Sequence, residues 1–359
     1  MKRCLAVAVT MVLLLCGCRS EAAAQEQVIV TGLGIDRRDG HYVLSIQAVE
    51  ALKTSGSLSE QNETATAVYT ASGRSVAEAL QAFLNETGKS TYILQNQVIV
   101  VSMALCREES LFAALDYFIR TQEGRALVDL VVCRADPAAL LDIDTGNDAI
   151  PAEYVSQLLK EGHRWGRSVR ARLLDAERAS SGMYDVALPI LEMTDGTPAL
   201  SGTALFRDGA LAGELTVAQT TGLRLAGDEP DYCLYTVGDI AARCESIRST
   251  LLVQPQGNRW HYHVMVTATV QAVEEGSTVS DGEKQRLVRR LEERIVSEVT
   301  EALTAAVRDC DSDPLGLARH TAAKYRSSGV TQQAVREVLS QSRFRVTAAL
   351  SLTDSGFLK

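Results

Sequence analysis

An alternating segment, a long amphipathic segment and a second alternating segment follow one another at the carboxyl-terminal end of the chain. Apolar residues occupy every second position in residues 259–273, which is the period of a strand with one buried face. Over residues 287–307 they recur every four positions, which predicts a helix of about 26 residues that ends at the Asp-Pro dipeptide at 313–314. A last strand, residues 344–352, can pair with the first. We therefore expect residues 256–359 to form a long helix packed on an antiparallel sheet.

The amino-terminal part mixes strands and helices. Two apolar segments, residues 28–36 and 42–49, flank Asp39 and Gly40, and an Asp-Gly pair between such segments is a strong hairpin signal. Ser75 is placed to cap a helix that continues to about residue 85. Strands and helices do not alternate strictly after this point, which favours an α+β domain over a doubly wound sheet.

The middle of the chain changes from helical to strand-like patterns. Residues 136–180 are expected to be helical, beginning with Asp136 as N-cap and Pro137 in the first turn. From residue 182 onwards short alternating segments and tight turns predict a β-rich unit. The expected division is an N-terminal α+β domain at 28–181, a middle domain at 182–255 and the C-terminal unit. The fold class is α+β, with mixed and antiparallel sheets flanked by helices.

The first residues of the chain have the pattern of a secretory signal. Lys2 and Arg3 precede an apolar segment at residues 5–15, which a single threonine interrupts. That segment is too short to cross a bilayer, because a spanning helix needs about 20 apolar residues. The small residue Gly17 is followed directly by Cys18, an arrangement that resembles a bacterial lipobox. In such signals the cysteine thiol receives a diacylglycerol.

This resemblance implies a signal peptide at residues 1–17, cleavage between Gly17 and Cys18, and lipidation of Cys18. Residues 18–27 are small and polar, and we interpret them as a tether. The protein is then a multidomain lipoprotein held on the extracytoplasmic face of a membrane, with membrane lipid as its partner through Cys18. The alternative is an ordinary secretory signal in which Cys18 has no special role.

Composition excludes some classes of protein. Hydrophobic residues make up 46% of the chain and charged residues 23%, as in ordinary globular proteins. The formal net charge is -9, so the basic footprint of a nucleic-acid-binding protein is absent. The cysteines beyond residue 18 are far apart and form no CxxC pair, which argues against a zinc site. A disulfide between Cys233 and Cys244 remains an open alternative.

No sequence motif points to catalysis. A nucleophile elbow and a zinc-protease helix motif are both missing from the sequence. His261 and His263 share one strand face, but no acidic cluster accompanies them, so a metal site is not expected. The sequence therefore predicts a binding or scaffold protein, with no catalytic residues, no metal and no cofactor.

Four longer blocks occur in order after the lipobox: residues 32–36, 116–125, 202–213 and 313–317. Their order and spacing resemble the C-subunit lipoproteins of bacterial spore germinant receptors. The resemblance implies a non-enzymatic, three-domain α+β lipoprotein of the spore inner membrane. It also implies two integral membrane receptor subunits as partners and a role in the response to nutrients.

Within those blocks, Arg120, Glu123, Arg125 and Asp313 are candidate subunit contacts. For the first three, a structural ion pair is the alternative, and for Asp313 the alternative is a helix stop. An extracytoplasmic solute-binding lipoprotein is the second functional hypothesis, but it calls for a two-lobed α/β architecture. A cell-envelope hydrolase is the third, and it requires titratable groups that converge in a pocket.

Overall fold

The computed structural model describes residues 27–49, 66–121, 125–146, 150–227, 230–238, 240–274 and 281–353. Two β-sheets flanked by helices make up this part of the chain, which confirms the α+β class. The predicted signal peptide, Gly17, Cys18, the tether up to residue 26 and Glu123 lie outside the described residues.

Within the described residues the first sheet contains nine strands. Its main order is β3-β2-β1-β5-β6-β7-β8-β9, and β4 pairs with β1 beside that path. The strands are β1 Gln27–Arg38, β2 His41–Val49, β3 Thr66–Gly73, β4 Ser90–Tyr92, β5 Val98–Ser102, β6 Asp129–Cys133, β7 Val186–Thr194, β8 Thr197–Arg207 and β9 Ala210–Leu215.

Helices cover both faces of the first sheet. They are α1 Val76–Thr87, α2 Met103–Glu108, α3 Leu111–Arg120, α4 Pro137–Leu141, α5 Pro151–Arg164 and α6 Leu173–Ser180. The central strands β5 and β6 are buried at every position, as expected for parallel strands between two layers of helices. Two separate apolar clusters, one on each face, form the core of this part.

Local sequence signals explain the start of this fold. The β1–β2 hairpin forms with Asp39 and Gly40 at its turn, as predicted. Ser75 is the N-cap of α1, and its side chain accepts a hydrogen bond from the Glu78 N–H. The segment expected to be helical over residues 136–180 consists of three helices, and Asp136 caps the first of them.

Several helices in the described residues were not predicted, and the longest of these follows the first sheet. Helix α7, Val217–Gly227, follows β9 directly. Its sequence gives a weak signal because it is buried on more than one side, against the first sheet and against the long helix. At Gly222 an added Cβ would lie 2.1 Å from the Glu298 carbonyl oxygen, so only glycine permits the two helices to approach this closely.

The second sheet has the order β10-β11-β12-β13. Its strands are β10 Tyr232–Val237, β11 Ile240–Gln256, β12 Arg259–Glu274 and β13 Arg343–Leu352. The long helix α8, Asp281–Leu303, packs on this sheet and continues as a π-helical segment, Thr304–Asp309. Two short helices follow, α9 Leu317–Lys324 and α10 Gln332–Val338.

The last strand pairs with β12 as expected, but the pair is parallel. The sheet is therefore mixed and not wholly antiparallel. The reason is the connection: α8, α9 and α10 return the chain to the end of the sheet where β12 begins, and such a crossover joins parallel neighbours. The apolar positions of α8, including Leu287, Leu291 and Ile295, are buried in this core, as the period of four predicted.

The first sheet continues across the predicted boundary between residues 181 and 182. Strand β7 pairs in parallel with β6, and β8 and β9 extend the same sheet. Strand β8 also contains Gly202, where φ is 143° and an added Cβ would lie 2.0 Å from the Leu215 carbonyl oxygen. Glycine at this position lets β9 turn into α7 close to the sheet.

Candidate functional site

The sequence-predicted contact residues occupy two different parts of the molecule. Arg120 ends α3, and its Nε lies 2.7 Å from Asp116 Oδ1 in an exposed pair one helical turn apart. Arg125 precedes β6, and its Nη1 donates to Gln97 Oε1 at 3.4 Å. Both arginines are exposed. The structure does not bring them to Asp313, and their role as subunit contacts stays a prediction.

Asp313 lies in the turn before α9. Its Oδ1 accepts a hydrogen bond from the Leu317 N–H at 2.7 Å, and its Oδ2 accepts from the Ala318 N–H at 2.9 Å. The Asp313 N–H in turn donates to Asp185 Oδ2 at 2.7 Å. The residue is 3% exposed. Asp313 therefore begins the next helix and connects it to the first sheet, and its role as a subunit contact stays a prediction.

A network that we call the charged junction surrounds this turn. It consists of Asp185, Arg207, Asp311, Asp313 and Arg336. The Arg336 guanidinium pairs with the Asp185 carboxylate and donates to the Asp311 carbonyl oxygen at 2.8 Å. The Arg207 guanidinium pairs with the Asp311 side chain. The charged junction thus connects β7 and β8 of the first sheet with α9 and α10.

Burial changes the titration of the two inner carboxyl groups. Desolvation raises the pKa of Asp185, although the Asp313 N–H and the Arg336 guanidinium oppose it. Desolvation also raises the pKa of Asp313, against the hydrogen bonds from the Ala318 and Leu317 N–H groups. A carboxylate that is removed from water in this way needs its internal partners to stay ionised.

A groove lies where α5, α7, β10 and α8 meet. We call it the arginine groove. Its volume is about 820 Å³. Apolar side chains form its walls, among them Trp165, Val217, Leu234 and Val237. Leu234 is 55% exposed on β10, which is an edge strand of the second sheet.

Three arginines and one buried acid also line the arginine groove. Arg167, Arg290 and Arg294 are all exposed. Glu298 is 6% exposed, and it accepts hydrogen bonds from Arg294 Nε at 2.6 Å and from the Tyr235 hydroxyl at 2.9 Å. The Tyr235–Glu298 pair therefore holds Arg294 between the buried floor and the opening of the arginine groove.

Beside the groove, α5 contacts the buried Arg224 of α7. Arg224 Nη2 donates to the His163 carbonyl oxygen at 2.9 Å. Burial lowers the pKa of Arg224 to about 10. Burial and the nearby Arg224 charge lower the pKa of His163 to about 4, so its imidazole is neutral at pH 7.

Cys233 and Cys244 face each other across β10 and β11. Both are buried free thiols, and burial raises the pKa of both, to about 12 for Cys244. Over the described ranges, no group of three or more His, Cys, Asp or Glu side chains is arranged to hold a metal ion. None of the helices in those ranges has the length and apolar character needed to cross a membrane.

Sequence reasoning missed the arginine groove. Its arginines come from the end of α5 and from α8, and α7 and β10 were not predicted. The spacing of Arg290, Arg294 and Glu298 along one helix was the available signal, because residues four apart share a helix face. Nothing local indicated that Trp165 would line the same groove as that face.

Comparisons with known proteins give a consistent result across both halves. Residues 22–193 match the family model of the spore germination protein N-terminal domain. Residues 201–356 match the model described as spore germination B3/GerAC like, C-terminal. The crystal structure of the GerBC protein is similar in fold, with a TM-score of 0.60 and 17% identity over 90% of this chain and 97% of that chain. No curated protein matches the chain.

Proposed function

Because this chain belongs to the GerAC-type spore germination protein family, we propose that it is the lipid-anchored subunit of a spore germinant receptor. The observation that carries the proposal is the pair of family matches, which together extend from residue 22 to residue 356. The similarity of fold to the GerBC protein supports the same conclusion.

In this proposal Cys18 carries the membrane anchor. The first family match begins four positions after this cysteine, which fits a short tether between the lipid and the folded part. Two acyl chains on one residue hold a protein on a bilayer stably, whereas one chain binds only marginally. The protein then works on the outer face of the spore inner membrane.

We further propose that the subunit acts as a scaffold for two integral membrane subunits and does not catalyse a reaction. Anchoring raises its local concentration beside membrane partners, which strengthens a weak interaction without any new contact. The charged junction supports this role, because it connects the first sheet with α9 and α10 through the buried Asp185 and Asp313. A subunit whose parts are connected in this way can present a fixed surface to its partners.

The anchor is tested with a pair of neighbouring cysteine variants. In a spore former that depends on this chain for germination, the gene is replaced by the Cys18→Ala or the Cys16→Ala variant. We expect Cys18→Ala to lose the protein from the membrane fraction or leave it unprocessed, and to reduce germination with nutrients strongly. Cys16→Ala is the matched control and should behave as the parent. Full membrane retention of processed Cys18→Ala would contradict the anchor.

The receptor role has a separate test. The gene is deleted in a strain without a redundant receptor, and spores are scored for germination against a panel of nutrients. We expect the response to at least one nutrient to disappear and to return with the intact gene. Copurification with two multi-spanning proteins is expected from the membranes of the complemented strain. Normal responses to every nutrient would contradict the proposal, and a solute-uptake defect in their place would favour the solute-binding alternative.

A further inference from the structure

We propose that the arginine groove binds a small organic carboxylate with an apolar or aromatic body. This inference goes beyond the receptor role and does not depend on the anchor. It rests on the juxtaposition of apolar walls, two arginines without an ion-pair partner and a third arginine held by a buried acid.

The size and walls of the groove suit a small molecule. Its volume of about 820 Å³ lies in the range of ligand pockets, roughly 300–1,000 Å³, which are mostly apolar with a few placed polar groups. Trp165 provides an aromatic wall, and its ring lies 5.2 Å from the ring of Tyr232. That contact restricts the indole at the side of the groove.

The charged side chains of the groove determine the sign of the charge expected on the ligand. Arg167 and Arg290 make no ion pair with any residue that the structure describes, and Arg294 is balanced by Glu298. The four side chains together have a net charge of about +2, although the whole chain has a formal net charge of -9. A local positive charge in an acidic protein favours an anion at this place.

The chemistry of arginine favours a carboxylate among small anions with an apolar body. Arg294 uses Nε to donate to Glu298, so the N–H groups of its two terminal nitrogens remain available. A guanidinium has a planar fork that matches the two oxygens of a carboxylate. Arg290 lies one helical turn before Arg294 on α8, so both can approach the same end of a ligand whose body contacts Trp165 and Leu234.

Binding is tested by calorimetry on the full chain in lipid nanodiscs, with empty nanodiscs as the blank. The probes are 4-phenylbutyrate, 4-phenylbutylamine and 4-phenylbutanol, which share one apolar body and differ in the charge of the head group. We expect saturable binding of the carboxylate and at least about tenfold weaker binding of the amine and the alcohol. Binding of the carboxylate should weaken as salt is raised.

The site is tested with neighbouring arginines of α8. Arg290→Gln should weaken binding of 4-phenylbutyrate by about tenfold, and Arg167→Gln provides a second variant on a different element. Arg289→Gln is the matched control, because Arg289 is exposed on the same helix but does not line the groove. The proposal is overturned if the carboxylate does not bind, if the amine binds equally well, if Arg289→Gln has the same effect as Arg290→Gln, or if only an acidic peptide such as hexaglutamate binds.

Discussion

Two Arg–Asp ion pairs of this molecule differ in their exposure to water. Arg120 and Asp116 lie one turn apart on α3, with side chains 76% and 52% exposed. Arg336 and Asp185 come from different parts of the chain, separated by 151 positions, and their side chains are 19% and 10% exposed. The first pair lies in water, whereas the second is part of the charged junction.

Burial therefore decides how sensitive the free energy of unfolding is to the loss of one charged partner. An exposed pair replaces hydration with a contact of similar free energy, so its net contribution is about 0–1 kcal/mol. A buried pair has already lost its hydration, and removal of one partner leaves an uncompensated charge. The charged junction is therefore sensitive to substitution although the pair itself need not stabilise the fold more than apolar residues would.

The largest effect is expected for Arg336→Met. This change leaves Asp185 buried without its cation and removes the donor to the Asp311 carbonyl oxygen. We expect the free energy of unfolding to fall by about 3–5 kcal/mol, measured by chemical denaturation. The double variant with Asp185→Asn should recover part of that loss, because residue 185 then no longer carries an unpaired charge. A loss below about 1 kcal/mol for Arg336→Met would show that water reaches the charged junction.

An intermediate effect is expected for His163, where a half-buried neutral ring lies beside a buried arginine. The pKa of His163 is about 4 in the folded protein, against about 6.5 in an unfolded chain. As pH falls from 6.5 to 4, the unfolded state therefore takes up the proton first and stability is lost. We expect about 1–2 kcal/mol after solvent screening of a partly exposed ring.

The measurement for His163 is the unfolding free energy as a function of pH. His163→Gln should flatten the decline between pH 6.5 and 4, because the group that titrates differently in the two states is gone. His320 is exposed, so His320→Gln is the control and should leave the decline unchanged. An identical pH profile for His163→Gln and the parent would disprove the assignment.

The smallest effect is expected for Arg120→Ala. Loss of its exposed pair with Asp116 should change the unfolding free energy by less than about 0.5 kcal/mol. Arg74→Ala, which removes another exposed pair one turn apart, with Glu78, should give a similarly small change. A loss of several kcal/mol at Arg120 alone would place that residue in a buried network, contrary to its exposure.

Local signals predicted the elements with strong periodicity or caps. The hairpin at Asp39 and Gly40, the cap at Ser75 and the buried stripe of α8 follow from interactions within a few positions along the chain. Helix α7 was missed because its burial against two partners removes the one-sided pattern. The parallel pairing of β13 was missed because strand direction depends on the path of the connection, which residue patterns do not contain.

The α+β class, the long helix and the family resemblance follow from the amino-acid sequence alone, since periodicity, capping and the order of blocks are properties of the linear chain. Which charged groups are buried depends on the folded arrangement of the chain. That arrangement buries Asp313 and pairs Asp185 with Arg336, and it places Trp165 in the same groove as the arginines of α8. Desolvation and packing depend on residues distant in sequence, so the charged junction and the arginine groove became visible only once the chain was folded.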